Sequence, residues 1–334
     1  MLKAFIKFSD GRVSTDSSPG NLAAAIRDAK AMLWLDMSKP EDEDYAILDD
    51  VFGFHPLAIE DSINRSQRPK IESYNHVGDA CQQGYFYMVI HGVQEMSGKR
   101  LETLELDLFV SERYLVTIHD ESMPAIERLL SRAQGDAHLV LDPGIDILLY
   151  HILDRMIDAY QPILEDLQDA LDDLEEEAVN DPTEGLLTRI AQKKRELLNL
   201  RRLIGPQREV LAQLTRGEVP FIRESTRIYL RDVHDHLLRA VEMIEVYRDL
   251  VIGARDIYMS SISNNLNRIM KTLTIITVIS LPMTVITSFF GMNFQNAPGW
   301  TWITTHPSGF WIVCLIIVTT IGALLFIFRR LRWL

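Results

Sequence analysis

Two uncharged apolar runs near the C-terminal end constrain this chain more than any other feature. They occupy residues 273–290 and 310–328, and they are 18 and 19 residues long. A helix needs about 20 apolar residues to cross a bilayer core of about 30 Å. The sequence therefore predicts two transmembrane helices joined by a short loop. Because two helices cannot enclose a polar path alone, the hairpin is either an anchor or one part of an assembly around a pore.

Basic residues predict the orientation of this hairpin. Arg268 and Lys271 precede the first run, the second is followed by Arg329, Arg330 and Arg332, and the connecting loop has no Lys or Arg. By the positive-inside rule both termini are cytoplasmic. The first residues show no signal peptide, which agrees with a cytoplasmic N-terminal part. We therefore expect a multi-pass protein of the inner (plasma) membrane.

Composition excludes several classes of function. The net charge of −13 argues against a nucleic-acid partner, since such proteins carry a basic face. An acidic surface attracts cations, although it also serves solubility alone. Cys81 and Cys314 form no CxxC motif, so neither a thiolate zinc site nor a disulfide is expected. The sequence has no P-loop, nucleophile elbow or HExxH motif, and we expect no enzyme.

The soluble part changes character along the chain. Strand patterns alternate with short helices at first, and from about residue 142 only helical periodicity remains. The expected strands are 2–8, 31–36, 84–91, 102–110 and 114–119, and the expected helices are 41–51, 56–63, 142–179 and 183–215. From residue 224 a helical pattern continues to residue 290, which is about 100 Å at 1.5 Å per residue. A helix of that length needs neighbours, as in a funnel of copies around a symmetry axis.

These patterns predict an α+β membrane protein with seven segments. They are an α/β domain (1–140), an antiparallel helical pair (141–222), a stalk helix (223–272), a first span (273–290), an external loop (291–308), a second span (309–328) and a basic cytoplasmic tail (329–334).

A stripe of polar and apolar residues follows one face of the first span. Steps of three or four residues place its members together. They are Asn267, Met270, Leu273 (or its neighbour Thr274), Thr277, Leu281, Thr284 and Ser288. A Thr in a membrane helix commonly bonds its own helix carbonyls and serves packing, and this alternative stays open. Three hydroxyls on one face, with Asn293 beyond the outer end, instead favour a pore wall.

A wall without carboxylates suits a cation that keeps its water. Mg²⁺ dehydrates reluctantly and prefers oxygen ligands. Met270 and Leu273 would then form apolar constrictions that close by dewetting.

The residues around this stripe resemble a known family. The segment SISNNLNRIMKTLT (261–274), then Pro282, and then Gly291-Met292-Asn293-Phe294 are similar to the CorA family of magnesium and cobalt transport proteins. Gly-Met-Asn is specific here because it follows a proline-bearing apolar helix and precedes a second span with a basic tail. Further similar segments extend the resemblance over most of the chain: 55–61, 67–70, 206–211, 231–236, 247–251 and 255–261.

The resemblance implies a funnel-shaped homopentamer in the lipid bilayer. Five first spans would line the pore, and five second spans would form an outer ring. Gly291, Met292 and Asn293 would form the selectivity filter, with Asn293 holding hydrated Mg²⁺ through its water shell. The stripe residues from Asn267 to Thr284 match pore-lining positions of the family.

The resemblance also implies regulatory divalent sites between subunits. It assigns them to Asp256 and Asp232 on the long helix and to Glu95 in the α/β domain. Two carboxylates from different subunits repel each other unless a divalent cation bridges them, so internal Mg²⁺ would favour a closed state. The alternative for Asp256 is a salt bridge to Arg255 of a neighbouring subunit or a solvated face.

The resulting prediction is a passive Mg²⁺ channel gated by internal Mg²⁺, with Co²⁺ and Ni²⁺ as further candidate ions. Residues 294–300 contain no acid, whereas loops of the family commonly carry acids. This difference leaves open a Zn²⁺ transporter of the same superfamily, with or without proton coupling. The alternative outside transport is a membrane-anchored cytoplasmic sensor or scaffold. His234 and His236 lie on different faces of one helix, which disfavours a zinc site there.

Overall fold

A computed structural model describes residues 1–65, 67–74, 84–96, 100–292 and 306–333, with backbone only at residues 95, 96, 100 and 101. The chain divides into two compact units. Unit 1 comprises Met1–Glu177 and Thr183–Arg255, and unit 2 comprises Ala178–Pro182 and Asp256–Leu334.

Unit 1 contains a seven-stranded mixed sheet with the order β2-β1-β3-β7-β6-β5-β4. The strands are β1 (Leu2–Lys7), β2 (Val13–Ser14), β3 (Met32–Ser38), β4 (Lys70–Tyr74), β5 (Tyr85–Met96), β6 (Arg100–Val110) and β7 (Tyr114–His119). β3 and β7 pair in parallel, and the other described pairs are antiparallel. The five strands expected from the sequence are all present. The two that it missed, β2 and β4, lie at the edges of the sheet.

Helices cover the sheet in unit 1. They are α1 (Pro19–Arg27), α2 (Asp42–Asp50), α3 (Pro56–Ile63), α4 (Pro124–Gly135), α5 (His138–Leu141) and α6 (Ile145–Asp158). Leu33, Leu35 and Val116 of the sheet share one buried core with Leu22 of α1 and Leu48 of α2. Side chains alternate between the two faces of a strand, so the neighbouring residues of β3 and β7 point to the opposite face. The sequence did not predict α1 or α4.

The remaining helices among the described residues are long. They are α7 (Tyr160–Asn180), α8 (Leu186–Arg216), α9 (Glu224–Phe290) and α10 (Pro307–Arg330). The expectation of one helix over residues 142–179 was wrong, because α6 ends at Asp158 and α7 begins at Tyr160. Pro162 has no N–H to donate to the carbonyl of Asp158, which explains the interruption. The 67-residue helix α9 has the bounds that the sequence predicts.

Buried leucines and a few ion pairs hold α7, α8 and α9 together in unit 1. The buried residues of α7 recur every three or four positions: Leu164, Leu167, Leu171 and Leu174. Arg189 of α8 pairs with Glu177 of α7, as expected for an antiparallel pair with opposite charges. Arg201 of α8 instead pairs with Glu245 of α9, at 2.7 Å. Exposed pairs of this kind contribute little, so the apolar seams supply most of the stability.

A buried carboxylate fastens the start of α9 to the start of α6. Asp146 accepts hydrogen bonds from the Nε of Arg223 at 2.8 Å and from the hydroxyl of Thr226 at 2.6 Å. Gly144 precedes it with φ of 114°, and a Cβ there would clash with the guanidinium group of Arg223. Burial raises the pKa of Asp146, but the bonds from Arg223 and Thr226 outweigh it and hold the pKa below its usual value.

We expect Asp146→Asn to destabilise the protein. Losing charge-assisted bonds to a buried acceptor costs about 2 kcal/mol, which is roughly 4–8 °C in Tm for a unit of this size. Because the folded pKa is lowered, the stabilisation is present above the unfolded pKa of about 3.9 and is lost as pH falls through the folded pKa. Circular dichroism melts of the full chain in detergent at pH 7 and pH 3 test this. The exposed Asp142, paired with Lys7, provides the control Asp142→Asn. Equal shifts in both variants at pH 7 would contradict the prediction.

Candidate functional site

Unit 2 contains two helical segments that are long and apolar enough to cross a membrane. One is the C-terminal part of α9, and the other is Gly309–Arg330 of α10. Their window residues are not buried inside the chain, as they would be in the core of a soluble protein. A bilayer or further copies of the chain must therefore cover these apolar surfaces.

Each of the two helices has one partly covered stripe. On α9 the stripe is Lys271, Ile275, Ile279, Pro282, Ile286 and Phe290, and on α10 it is Val313, Ile317, Ile321, Leu324 and the buried Phe328. The steps of three and four residues place each set on a single face. Thr274, Met283, Cys314 and Thr320, beside these stripes, are also partly covered. The Nζ of Lys271 also donates to the carbonyl of Arg332, at 3.4 Å. We infer that α9 and α10 pack along these two stripes, which we call the seam.

The stripe predicted from the sequence lies on the other side of α9. All seven of its residues, from Asn267 to Ser288, are exposed in the single chain. A helix turns about 100° per residue, so Thr277 lies nearly opposite Ile275 and Ile279 of the seam. Met270, Leu273 and Leu281 are 60%, 55% and 62% exposed, although they are large and apolar. One face of α9 therefore contacts α10, and the opposite face offers alternating amide, apolar and hydroxyl groups.

The hydroxyl groups of this stripe are held in fixed positions. Thr277 donates to the carbonyl of Leu273 at 2.8 Å, and Thr284 donates to the carbonyl of Ser280 at 3.0 Å. These are the bonds that the packing alternative requires. They do not exclude a wall function, since a hydroxyl oxygen keeps acceptor lone pairs after donating its hydrogen. The exposed oxygens of Thr277 and Thr284 can therefore accept hydrogen bonds from water.

The outer end of this stripe reaches the limit of the described residues. α9 ends at Phe290, and the N–H of Gly291 continues the helical pattern by donating to Thr287 at 2.9 Å. Gly291 and Met292 are exposed. Asn293, the third residue of the expected selectivity filter, lies outside the described residues.

The three expected regulatory acids lie in different surroundings. Asp256 is exposed on α9. Glu95 belongs to β5, where its backbone is opposite Leu101 of β6. Asp232 lies 3.6 Å from the Nε2 of His236. Within the described ranges, no group of three or more His, Cys, Asp or Glu side chains is arranged to hold a metal ion.

His236 links two helices of unit 1. Its Nδ1 lies 3.1 Å from Asp158 of α6, while its Nε2 faces Asp232 of its own helix. The two ring nitrogens thus face two different carboxylates, and His234 takes no part in this contact. Burial and the charge of Asp158 raise the pKa of the adjacent Asp154. The Asp-x-His-Asp-His sequence therefore serves packing between α6 and α9, as the separate faces of His234 and His236 predict.

Comparison with known families identifies the chain. A family described as CorA-like Mg²⁺ transporter protein matches residues 29–330. The chain belongs to the CorA family. It is a divalent-cation transporter, and the family resemblance inferred from the Gly-Met-Asn region is confirmed.

Individual CorA relatives and one solved structure agree with this assignment. The cobalt/magnesium transport protein CorA of Thermotoga maritima is 32% identical over 312 residues, covering 92% of this chain and 85% of that protein. The solved CorA magnesium transporter of Methanocaldococcus jannaschii has a TM-score of 0.79 at 25% identity, covering 99% of this chain and 98% of that one. The zinc transport protein ZntB of Yersinia pseudotuberculosis is 24% identical over 291 residues, covering 84% of this chain and 81% of that protein.

Membership of the CorA family decides between transport and anchoring. The N-terminal α/β domain, the long helix and the C-terminal apolar helices all belong to the matched fold. A family of transporters gives no support to a sensor or scaffold that conducts no ion. The sequence did not reveal the seam or the contact between Lys271 and Arg332, since neither produces a pattern distinct from apolar periodicity.

Proposed function

We propose that this chain forms a homopentameric Mg²⁺ channel in the inner membrane, with both termini in the cytoplasm. Five copies of α9 line the pore with the stripe from Asn267 to Ser288, and five copies of α10 form the outer ring. Transport is passive. An inside-negative potential contributes ~2.3 kcal/mol per charge per 100 mV, roughly twice that for a divalent ion. Co²⁺ and Ni²⁺ are further substrates of the same path.

One observation carries this proposal: the exposed stripe is opposite the seam. The face of α9 that holds Thr277 and Thr284 is turned away from α10. Polar groups facing lipid are costly, and they normally line bundle interiors or water-filled cavities. In a ring of copies, these polar groups face a central axis and not the lipid. The apolar outer residues of α10, such as Leu315 and Phe326, then face the lipid.

Internal Mg²⁺ closes this channel in the proposal. Asp256 of one subunit and Glu95 of a neighbour bind one ion between subunits, whereas Asp232, 24 residues or about 36 Å away along α9, belongs to a second site. A bound divalent cation offsets the repulsion among these carboxylates and so favours the symmetric closed arrangement. Loss of the ion lets the subunits separate and the apolar constriction at Met270 and Leu273 take up water.

Cysteine accessibility tests the pore wall. In a Cys81→Ser/Cys314→Ser background, we expect a charged, water-soluble thiol reagent to block Mg²⁺ flux through Thr284→Cys, since position 284 faces the aqueous path. Leu315→Cys, 63% exposed but on the outer face of α10, is the control and should stay unmodified. Flux into liposomes before and after labelling gives the result. Flux through Thr284→Cys that labelling leaves unchanged would remove the stripe from the pore.

A Zn²⁺ transporter is the second candidate. The relative ZntB is a zinc transport protein, and the loop at 294–300 lacks acids. Proton coupling in the membrane part would require a titratable group, and residues 259–334 offer only His306 and Cys314 besides Lys and Arg. Fluxes of Mg²⁺ and Zn²⁺ with and without a pH gradient separate the two candidates. Mg²⁺ entry that ignores pH supports the channel, whereas pH-driven Zn²⁺ entry with little Mg²⁺ supports the alternative.

A further inference from the structure

The expected inner ends of the two membrane segments carry basic residues, and no acidic residue follows Asp256 in the chain. Residues 257–334 contain no Asp or Glu. They contain five basic residues, which we call the cationic cluster: Arg268, Lys271, Arg329, Arg330 and Arg332. The four arginines are exposed, and Lys271 is half-buried. The cluster therefore differs from the soluble part, where ion pairs such as Arg201–Glu245 balance the charges.

The chain turns back after α10 and brings the two halves of this cluster together. The backbone N–H of Trp333 donates to the carbonyl of Phe328 at 2.9 Å, and Arg332 has a left-handed φ of 58°. This turn places the ring of Trp333 over that of Phe328, with centroids 5.9 Å apart and planes 9° from parallel. It also orients the Arg332 carbonyl toward the Nζ of Lys271, at 3.4 Å. The tail is thus fixed against the inner end of the hairpin.

The two basic residues of α9 lie on the seam side of the helix, away from the stripe assigned to the pore. Arg268 and Lys271 continue the seam through Ile275, because the steps of three and four residues keep them on one face. Met270 continues the exposed stripe instead, and Asn267 lies between the two faces. The basic side chains of α9 therefore point toward α10, whose outer face is apolar, and away from the stripe assigned to the pore.

We propose that the cationic cluster binds the headgroup of an anionic phospholipid of the inner leaflet. Guanidinium and ammonium groups form charge-assisted hydrogen bonds with phosphate oxygens. Basic residues next to a membrane helix attract anionic lipids, and Trp is enriched at the level of the headgroups, where Trp333 lies. The site rests on the membrane orientation given under the proposed function, and it adds a lipid ligand that transport itself does not require.

Lipid binding to the full chain in neutral detergent tests this site. Native mass spectrometry compares binding of phosphatidylglycerol with that of phosphatidylcholine. A basic residue at the surface contributes about fivefold, so Lys271→Gln/Arg330→Gln/Arg332→Gln should lower the preference for phosphatidylglycerol by on the order of 100-fold. The matched control is Arg27→Gln/Lys30→Gln/Arg195→Gln, which removes three exposed charges of unit 1 and should keep the preference. The charge-conserving variant Lys271→Arg/Arg330→Lys/Arg332→Lys should also keep it.

Three outcomes would overturn the site. They are a wild type that binds both lipids equally, a glutamine variant with undiminished preference, and displacement of phosphatidylglycerol by inorganic phosphate at equal concentration. Mg²⁺ flux in liposomes of neutral lipid keeps the proposed function separate. If the protein prefers phosphatidylglycerol but conducts no Mg²⁺, the lipid site is retained and the channel is refuted. If the protein conducts Mg²⁺ but shows no preference for phosphatidylglycerol, only the lipid site is refuted.

Discussion

Replacing Asn293 with alanine should reduce Mg²⁺ flux into liposomes to the level of protein-free vesicles. A side-chain amide oxygen accepts hydrogen bonds from the water shell of Mg²⁺, which the ion sheds reluctantly. Five such oxygens in a ring would recognise the hydrated ion, whereas a ring of methyl groups offers no acceptor. Asn293 follows Met292 directly, beyond the end of α9 at Phe290. In the proposed pore, the ring of Asn293 amides therefore lies just outside the Ser288 hydroxyls, which are the outermost hydroxyls of the stripe.

The matched control for Asn293→Ala is Gln295→Ala, which removes another amide from the same loop. We expect Gln295→Ala to transport like the wild type, and both variants to elute as the wild-type oligomer in size-exclusion chromatography. Undiminished Mg²⁺ uptake by an intact Asn293→Ala oligomer would refute the assignment of Gly291, Met292 and Asn293 as the selectivity filter.

Replacing Asp256 with lysine should leave a channel that internal Mg²⁺ inhibits only weakly. A lysine side chain cannot ligate Mg²⁺ and repels it, so the closed state loses its bridging ion. Coupling free energies between sites typically correspond to 5- to 150-fold, and we expect the half-inhibiting Mg²⁺ concentration to rise by roughly tenfold or more. Flux into liposomes loaded with graded internal Mg²⁺ measures this concentration.

Asp249→Lys is the control for Asp256→Lys. The two aspartates are seven residues apart on α9, so they lie on nearly the same face, and both are exposed. They therefore undergo the same change of charge in similar solvent, and only position 256 is expected to alter inhibition. Wild-type inhibition of Asp256→Lys would place the gate elsewhere, and equal effects of both variants would indicate a general charge effect.

Local patterns in the sequence predicted the larger elements of the fold. β7 and α3 have the bounds expected from their residue types, and so does α9, because 67 residues pass without a strong break outside the membrane part. The smaller elements depend on tertiary contacts. β2 has only two residues and exists through pairing with Ile6 and Lys7 of β1. The interruption between α6 and α7 results from Pro162, which has no N–H to donate to the carbonyl of Asp158, four residues earlier in the chain.

The candidate site was predictable only where a helical repeat reveals it. Steps of three and four residues gave the stripe from Asn267 to Ser288, and the structure exposes every member of it. Periodicity cannot state which face of α9 meets α10, since Ile276 and Ile279 are equally apolar. The contact of His236 with Asp232 and Asp158 could not be predicted from the helical repeat either, because Asp158 lies on another helix. The regulatory role of Asp256, Asp232 and Glu95 stays a prediction.

The back-bonded hydroxyls of α9 have a consequence for the sign of the ion. Water around a cation turns its hydrogens outward and needs acceptors from the wall, whereas water around an anion turns its oxygens outward and needs donors. Thr277 and Thr284 have already given their hydrogens to Leu273 and Ser280, so they present acceptors only. A wall of this kind matches the outer surface of a hydrated cation and mismatches that of a hydrated anion. In the proposed pore, these two hydroxyl groups would thereby favour hydrated cations over hydrated anions although neither is charged.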